Sequence, residues 1–489
     1  MAVLILGTAT AGYLYYRHLN NNIRSSARSG GESGVKKAAP NAEGQSPLNI
    51  LLIGSDSRNS AENVKLGGSK DTVGDKPRAD VQMLLHISAD RKNSSLVSIP
   101  RDTILPIPEC TDSETGQEYP ATDNRPINES LQRGGPGCTL TTWEKLTGVY
   151  IDHWIMLDFA GVVAMADAIG GVEVCVKTGV WDKPTRLVPG GSGLKLPKGK
   201  NTVQGEDALK WLRTRHAFGN DQNRAKAQHM YMNSMLRTLK KQNLWSDAGR
   251  LMNLAETATK ALQVSDEIRS VKKLFDLAMQ LKGVPINRIT MTTMPTAEWS
   301  QDRNKLVPVE KSADALWRLV REDVAFDKNG KEKKKPSSDK PSGPPAADPA
   351  TLGVSVLNGT GVGQAPRDGR AGEVADILHG KGFAEAETSQ PAEPSKDTVV
   401  RYAKEDGDQG KSDALSVAKA LGLPTTAVKA DPKAGGLTVV VGADWREGTV
   451  YKAPKVEAGD LPEGADDLNA ADEGQCMDIY SVYRWDGKS

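Results

Sequence analysis

Two groups of side chains in this chain could do chemistry. Asp56, Asp80, Arg101 and Asp102 fall at the ends of segments that read as strands. Arg213, Arg215, Asp221, Arg224 and Gln228 cluster where two expected helices meet. Arginine offers a permanently charged planar fork that matches phosphate oxygens. Paired carboxylates suit Mg²⁺, which takes oxygen ligands and bridges to substrate phosphates. Together they point to a metal–pyrophosphate site, against the plainer reading of solvated surface ion pairs.

The neighbouring pattern says how such residues could meet. Strands are expected at Leu48–Gly54, Asp80–Ser88 and Ser94–Ile99, the last two joined by the polar turn 89–93. A hairpin places Asp80 beside Arg101 and Asp102. If the first strand runs parallel to the third, Gly54, Ser55, Asp56 and Arg58 reach the same edge, where ligand sites often form. Phe159, Val162, Val163, Ala166 and Ile169 recur at helical spacing, Gly170-Gly171 stops that helix, and a strand follows at Val172–Val176. Further helices are expected at 205–213, 221–243, 246–262 and 267–281. In the second of these, Arg224 and Gln228 share a face. Asn220 or Asp221 can cap it, turning its positive end toward the arginines.

The chain has 489 residues, enough for two or three domains, with 63 Lys and Arg against 62 Asp and Glu. That balance gives no electrostatic case for a nucleic-acid partner. Residues 2–16 carry no charge and include Tyr13, Tyr15 and Tyr16. They read as the outer half of an anchor beginning upstream of Met1, a single-pass segment with the bulk of the chain outside the membrane. The competing reading is an apolar helix packed on the domain. The expected organisation is a partial anchor at 1–19, a flexible stalk at 20–46, a first domain at 47–326 and a disordered Lys/Pro-rich linker at 327–351. A small α/β domain at 352–450 and a mobile acidic tail at 451–489 follow. Within the small domain, strands are expected at Gly353–Leu357, Thr398–Tyr402 and Leu437–Gly442, with helices near 368–381 and 411–421. Four cysteines allow three pairings, with Cys110–Cys138 favoured because both flank the loop after the third strand. The six histidines show no ligand spacing; His216, beside the arginine pair, is the one to watch.

The motifs together resemble the LytR-CpsA-Psr family. Asn49-Ile-Leu-Leu-Ile-Gly-Ser-Asp-Ser-Arg58 is similar to its opening strand. Arg78-Ala-Asp80 and Ser98-Ile-Pro-Arg-Asp102 are similar to its next blocks, and Ile127-Asn128 with Gly134-Gly135 to the following loop. Gly170-Gly-Val-Glu-Val174, the run Gly205 to Arg215 and Asp221-x-x-Arg224-x-x-x-Gln228 resemble the closing blocks. Residues 352–446 resemble the LytR C-terminal domain. The resemblance implies a three-layer α/β domain with a central mixed sheet flanked by helices, plus a small separate α/β C-terminal domain. It implies an extracytoplasmic, membrane-anchored phosphotransferase. Such an enzyme moves a glycopolymer from undecaprenyl pyrophosphate to the 6-hydroxyl of N-acetylmuramic acid in peptidoglycan. By the same resemblance Asp56 and Asp80 hold Mg²⁺ or Mn²⁺, and Arg101, Arg213 and Arg215 clamp the pyrophosphate. Arg78, Asp221, Arg224 and Gln228 line or order the site. Two departures thin the arginine shell: Ala227 stands before Gln228, and Gln222-Asn223 replaces an aromatic–Gly pair. The base for the sugar hydroxyl stays open between Asp80 and Asp102. A hydrolase that uses water as acceptor and a non-enzymatic wall-binding protein are the competing functions.

Overall fold

The computed structural model describes residues 2–38, 40–41, 43–57, 60–67, 76–186, 188–241, 248–328, 344–362, 364–432, 434–452 and 457–487. Arg58, most of the expected linker (329–343) and the side chain of Asp221 lie outside what is described. The chain forms two compact units, one of residues 1–333 with 457–489, the other of 334–456.

The first unit is built on an eight-stranded mixed sheet. Its order is Arg24–Ser26, Gln263–Ser265, His153–Leu157, Leu48–Ser55, Ala79–Ile87, Ser94–Ser98, Ile289–Thr293 and Asp467–Asn469. Leu48–Ser55 and Ser94–Ser98 both run antiparallel to the strand between them, so the first and third expected strands are parallel. Their C-terminal ends therefore share an edge with the start of Ala79–Ile87. The register shifts at Gly54/Ser55, and a Cβ at Gly54 would sit 2.9 Å from that of Val81. Only glycine permits that approach.

Pleating sorts the central strands into two faces. On one, Leu51, Ile53, Leu84, Val97 and Trp154 are buried, with Trp143 of the helix Gly135–Thr147 and Trp317 of Glu310–Arg321 packed edge to face at 5.8 Å. On the other, Leu52, Val81, Leu85, Ile155 and Leu157 are only half-buried. Met232 and Leu236 of the helix Asp221–Lys241 and Leu277 and Leu281 of Val271–Gly283 cover this face incompletely.

Here His229, fully buried, meets the Ser98 hydroxyl. Burial pushes its imidazole down to about 4. Because the folded value lies below the ordinary 6.5, stability is full above pH 6.5 and falls as pH drops toward 4, when unfolding takes up a proton. The loss is expected to be on the order of 3 kcal/mol across that window. Chemical denaturation at stepped pH checks it, and His229→Gln should flatten the slope.

Three expectations are corrected. Among the described residues, no helix is long and apolar enough to cross a membrane, which overturns the single-pass anchor in the cell membrane. The helix Ala2–Asn22 ends in Arg17, His18 and three asparagines, and that end docks on the domain. His18 meets Glu256 at 2.9 Å, the Asn20 side chain accepts from the Val271 amide, and Leu19 and Ile23 are buried. The polar stretch read as a stalk is also held down. Arg24–Ser26 joins the sheet edge, Arg28 donates to buried Glu144 and to the Ile151 carbonyl, and Lys37 binds Asp152. The acidic tail is not loose. Asp467–Asn469 forms the far edge of the main sheet, and Arg484–Trp485 pairs with Gly179–Trp181. Its acidity hid four residues that now lie in the core: Leu468, Met477, Ile479 and Tyr483. Two disulfides are present, Cys110–Cys138 and Cys175–Cys476, the second fastening this segment.

The second unit is a five-stranded sheet ordered Ala386–Thr388, Val354–Asn358, Leu437–Val441, Val399–Ala403, Val428–Asp431. The helices Arg370–His379 and Gly407–Leu421 pack Val374, Leu378, Val417 and Leu421 into its core. The two outer strands, 386–388 and 428–431, are short and polar and carry no clear sequence signal.

Candidate functional site

At the shared strand edge the bulge after Gly54 turns Asp56 back on the chain. Its amide donates to the Arg78 carbonyl at 3.1 Å, and its Oδ1 accepts from the Arg78 amide at 2.5 Å. Asp80 follows two residues later. Arg101, just past the end of Ser94–Ser98, donates through Nη1 to Asp80 Oδ2 at 2.9 Å and through Nε to Asp102 Oδ2 at 3.2 Å. One guanidinium thus straps a carboxylate at the start of one strand to another in the turn after its neighbour.

Asp102 has a second cation. Lys305, on the strand Asp302–Pro308, donates to its Oδ1 at 2.7 Å. Burial pushes the Asp102 carboxyl up, but the Lys305 hydrogen bond and the charges of Arg101, Lys305 and Arg215 outweigh it and hold the group below the usual range. Asp102 therefore stays ionised with both oxygens engaged, which makes it a clamp for Arg101 and a poor base. Lys305 lies 203 positions from its partner, and no local pattern marks it in the sequence.

Asn128 closes the far side. Its amide donates to the Arg101 carbonyl at 3.3 Å, and its Nδ2 lies 3.4 Å from Asp80 Oδ1. Its buried Oδ1 has no hydrogen-bond partner. Such an atom carries a desolvation cost that a ligand could relieve.

The second cluster is organised by two helices. Gly205–Arg213 and Asp221–Lys241 are locked by Trp211 Nε1, which donates to the Ala227 carbonyl at 3.0 Å, and by Gln228 Nε2, which donates to the Leu212 carbonyl at 3.1 Å. Ala227 is fully buried, so a larger side chain would not fit there without repacking. Gln228 and Arg224 are both buried, behind the segment that presents Arg213 and Arg215. Arg213 is exposed. Its guanidinium sits 4.9 Å from the Phe159 ring centre and donates to the Leu66 carbonyl at 2.9 Å. Arg215 is close enough to Asp102 to depress its carboxyl. Asp80, Arg101, Asp102 and Arg215 are thus brought together. Asp56 joins them through the Arg78 backbone, while the exposed Arg78 side chain is placed at the rim. Asp221 begins its helix.

Among the described residues no group of three or more His, Cys, Asp or Glu could hold a metal alone. Mg²⁺ keeps waters and takes one or two carboxylates plus phosphate oxygens. Asp56, Asp80 and the unpartnered Asn128 Oδ1 are hard oxygen donors of that kind.

The model of the LytR_cpsA_psr family matches residues 13–322. A second, described as LytR cell envelope-related transcriptional attenuator, matches 351–445. The chain belongs to the LytR-CpsA-Psr family, whose enzymes are glycopolymer transferases of the cell wall. Over 97% of its length it is 26% identical to the cell wall biosynthesis protein LcpA of Corynebacterium glutamicum, covering 90% of that protein. It is 25% identical over 59% of its length to the polyisoprenyl-teichoic acid–peptidoglycan teichoic acid transferase TagT of Bacillus subtilis, covering 83% of it. Among solved structures, TagT bound to LIIa-WTA aligns with 60% of this chain and 96% of its own, at a TM-score of 0.43 and 19% identity.

Proposed function

We propose that this enzyme transfers a glycopolymer from undecaprenyl pyrophosphate to the 6-hydroxyl of N-acetylmuramic acid in peptidoglycan. The hydroxyl oxygen attacks the phosphorus bonded to the glycan and gives up its proton to solvent, the bond to the bridging oxygen breaks, and undecaprenyl phosphate leaves. Phosphoryl transfer asks for positioning and charge stabilisation more than for covalent help. A bound Mg²⁺ or Mn²⁺ held by Asp56 and Asp80 would neutralise charge on the diphosphate. Arg101, fixed in place by two carboxylates, presents its guanidinium to the migrating phosphoryl group. Arg213 and Arg215 bind the diphosphate from the opposite segment, with Arg224 and Gln228 holding that segment in place.

The observation that carries this reading is a juxtaposition. The Asp80–Arg101–Asp102 network lies at the end of strands whose one face keeps Leu52, Val81, Ile155 and Leu157 only half-buried, a surface suited to a polyprenyl chain. The two disulfides suit the oxidising compartment outside the cytoplasm, where peptidoglycan lies. Mass spectrometry of lipid retained by the full chain, purified from a wall-bearing bacterium, tests the substrate class. Retained polyprenyl phosphate or pyrophosphate is expected. A chain that neither retains such a lipid nor binds it when it is added would overturn the reading.

A further inference from the structure

A second surface lies beyond the phosphate site. Gly179–Trp181 is the middle strand of a three-stranded sheet, with Lys195–Leu196 on one side and Arg484–Trp485 on the other. Trp181 and Trp485 are both half-buried on it. The Lys195 ammonium lies between them, 4.5 Å from the Trp181 ring centre and 4.6 Å from that of Trp485, and Lys183 lies 4.4 Å from Trp181. Residues 183–198 carry Lys183, Arg186, Lys195 and Lys198 and no acidic residue. The neighbouring Asp182 is buried, its Oδ2 accepting from the Ser192 amide at 2.8 Å. The exposed Asp486 follows Trp485, but the four cations outnumber it, so the surface is both aromatic and net cationic.

We propose that the Trp181–Lys195–Trp485 strip docks the carboxylate-bearing glycan strand of peptidoglycan. Indole faces suit the C–H faces of sugar rings, and the ammonium groups suit the lactyl carboxylates spaced along the strand. An exposed cation–π contact is worth only about 0.5–1 kcal/mol, so each lysine can swing to an anion and uncover its ring at little cost. A bare membrane surface would meet the lysines but leave the paired indoles without matching partners. The strip is tied to the arginine segment by two bonds. Ser192 Oγ lies 2.7 Å from Thr214 Oγ1, between Arg213 and Arg215, and the Tyr480 amide donates to the Ala217 carbonyl at 2.9 Å. A strand held on the indoles is led toward the proposed diphosphate clamp. This goes beyond the proposed reaction, and its test reads binding, so failure of transfer does not decide it.

The test is titration of the full chain with soluble peptidoglycan glycan strands bearing free lactyl carboxylates, followed by calorimetry. The comparison probes are the same strands with carboxyls amidated, and vesicles containing phosphatidylglycerol. Trp181→Ala is expected to weaken strand binding at least about fivefold. Lys195→Gln, an exposed change that leaves the fold alone, is expected to weaken it about threefold and to make it less sensitive to salt. Amidated strands should bind the native chain more weakly. Binding that is unchanged in both variants, equal for amidated strands, or seen only with vesicles would overturn the proposal.

Discussion

Arg101→Ala is expected to lower transfer about 10²- to 10³-fold while the protein stays folded, the usual scale for removing one preorganised donor to a developing anion. The side chain is 25% exposed, and on its loss Asp102 keeps Lys305 at 2.7 Å as a countercharge. Two fixed carboxylates aim its guanidinium, and alanine removes that group. Arg101→Lys keeps the charge but not the fork, and it should recover only part of the rate. Transfer from a lipid-linked donor to peptidoglycan, measured beside thermal unfolding of both variants, checks this. Activity within a few-fold of the native chain would show that Arg101 does not touch the migrating group.

Opening the Cys175–Cys476 disulfide should have the largest effect on stability. The bridge spans 301 positions and fixes a segment that supplies the edge strand Asp467–Asn469 and the buried residues Leu468, Met477, Ile479 and Tyr483. Cys476→Ser is expected to cost on the order of 3–5 kcal/mol and to lower the unfolding temperature of the first unit by roughly 5–15 °C. Hydrogen exchange should speed up in Ile289–Thr293 and its partner Asp467–Asn469, and little in Leu48–Ser55. Unchanged exchange at that edge would mean that strand pairing alone holds the segment. The same variant should weaken glycan binding, because Trp485 enters the strip from this segment.

The hairpin argument placed Asp80 against Arg101 and Asp102 because antiparallel pairing is local and its register follows from the turn. The helix bounds 205–213 coincide with the sequence reading because amphipathic spacing is strong there and Thr214 leaves helical geometry. What stayed hidden was non-local. Lys305 reaches Asp102 from a strand with no motif, and the partners of Cys175 and Val180 come from a segment whose acidity reads as solvent-loving. The N-terminal run was misread for a related reason. Uncharged composition over 2–16 looks like a lipid-facing segment, whereas its polar end is fixed by Glu256, Thr259 and Val271, distant residues that periodicity does not reveal.

The central claim is that these carboxylates and arginines transfer one glycan-bearing phosphoryl group from undecaprenyl phosphate to a sugar hydroxyl. A donor carrying ³²P only in the phosphate bonded to the glycan, incubated with the full chain, Mg²⁺ and peptidoglycan, tests it most directly. After muramidase digestion the label is predicted in a phosphodiester linking the glycan to the 6-position of muramic acid, with unlabelled undecaprenyl phosphate released in equal amount. Label recovered only as a glycan phosphomonoester, or left on intact donor, would contradict the account.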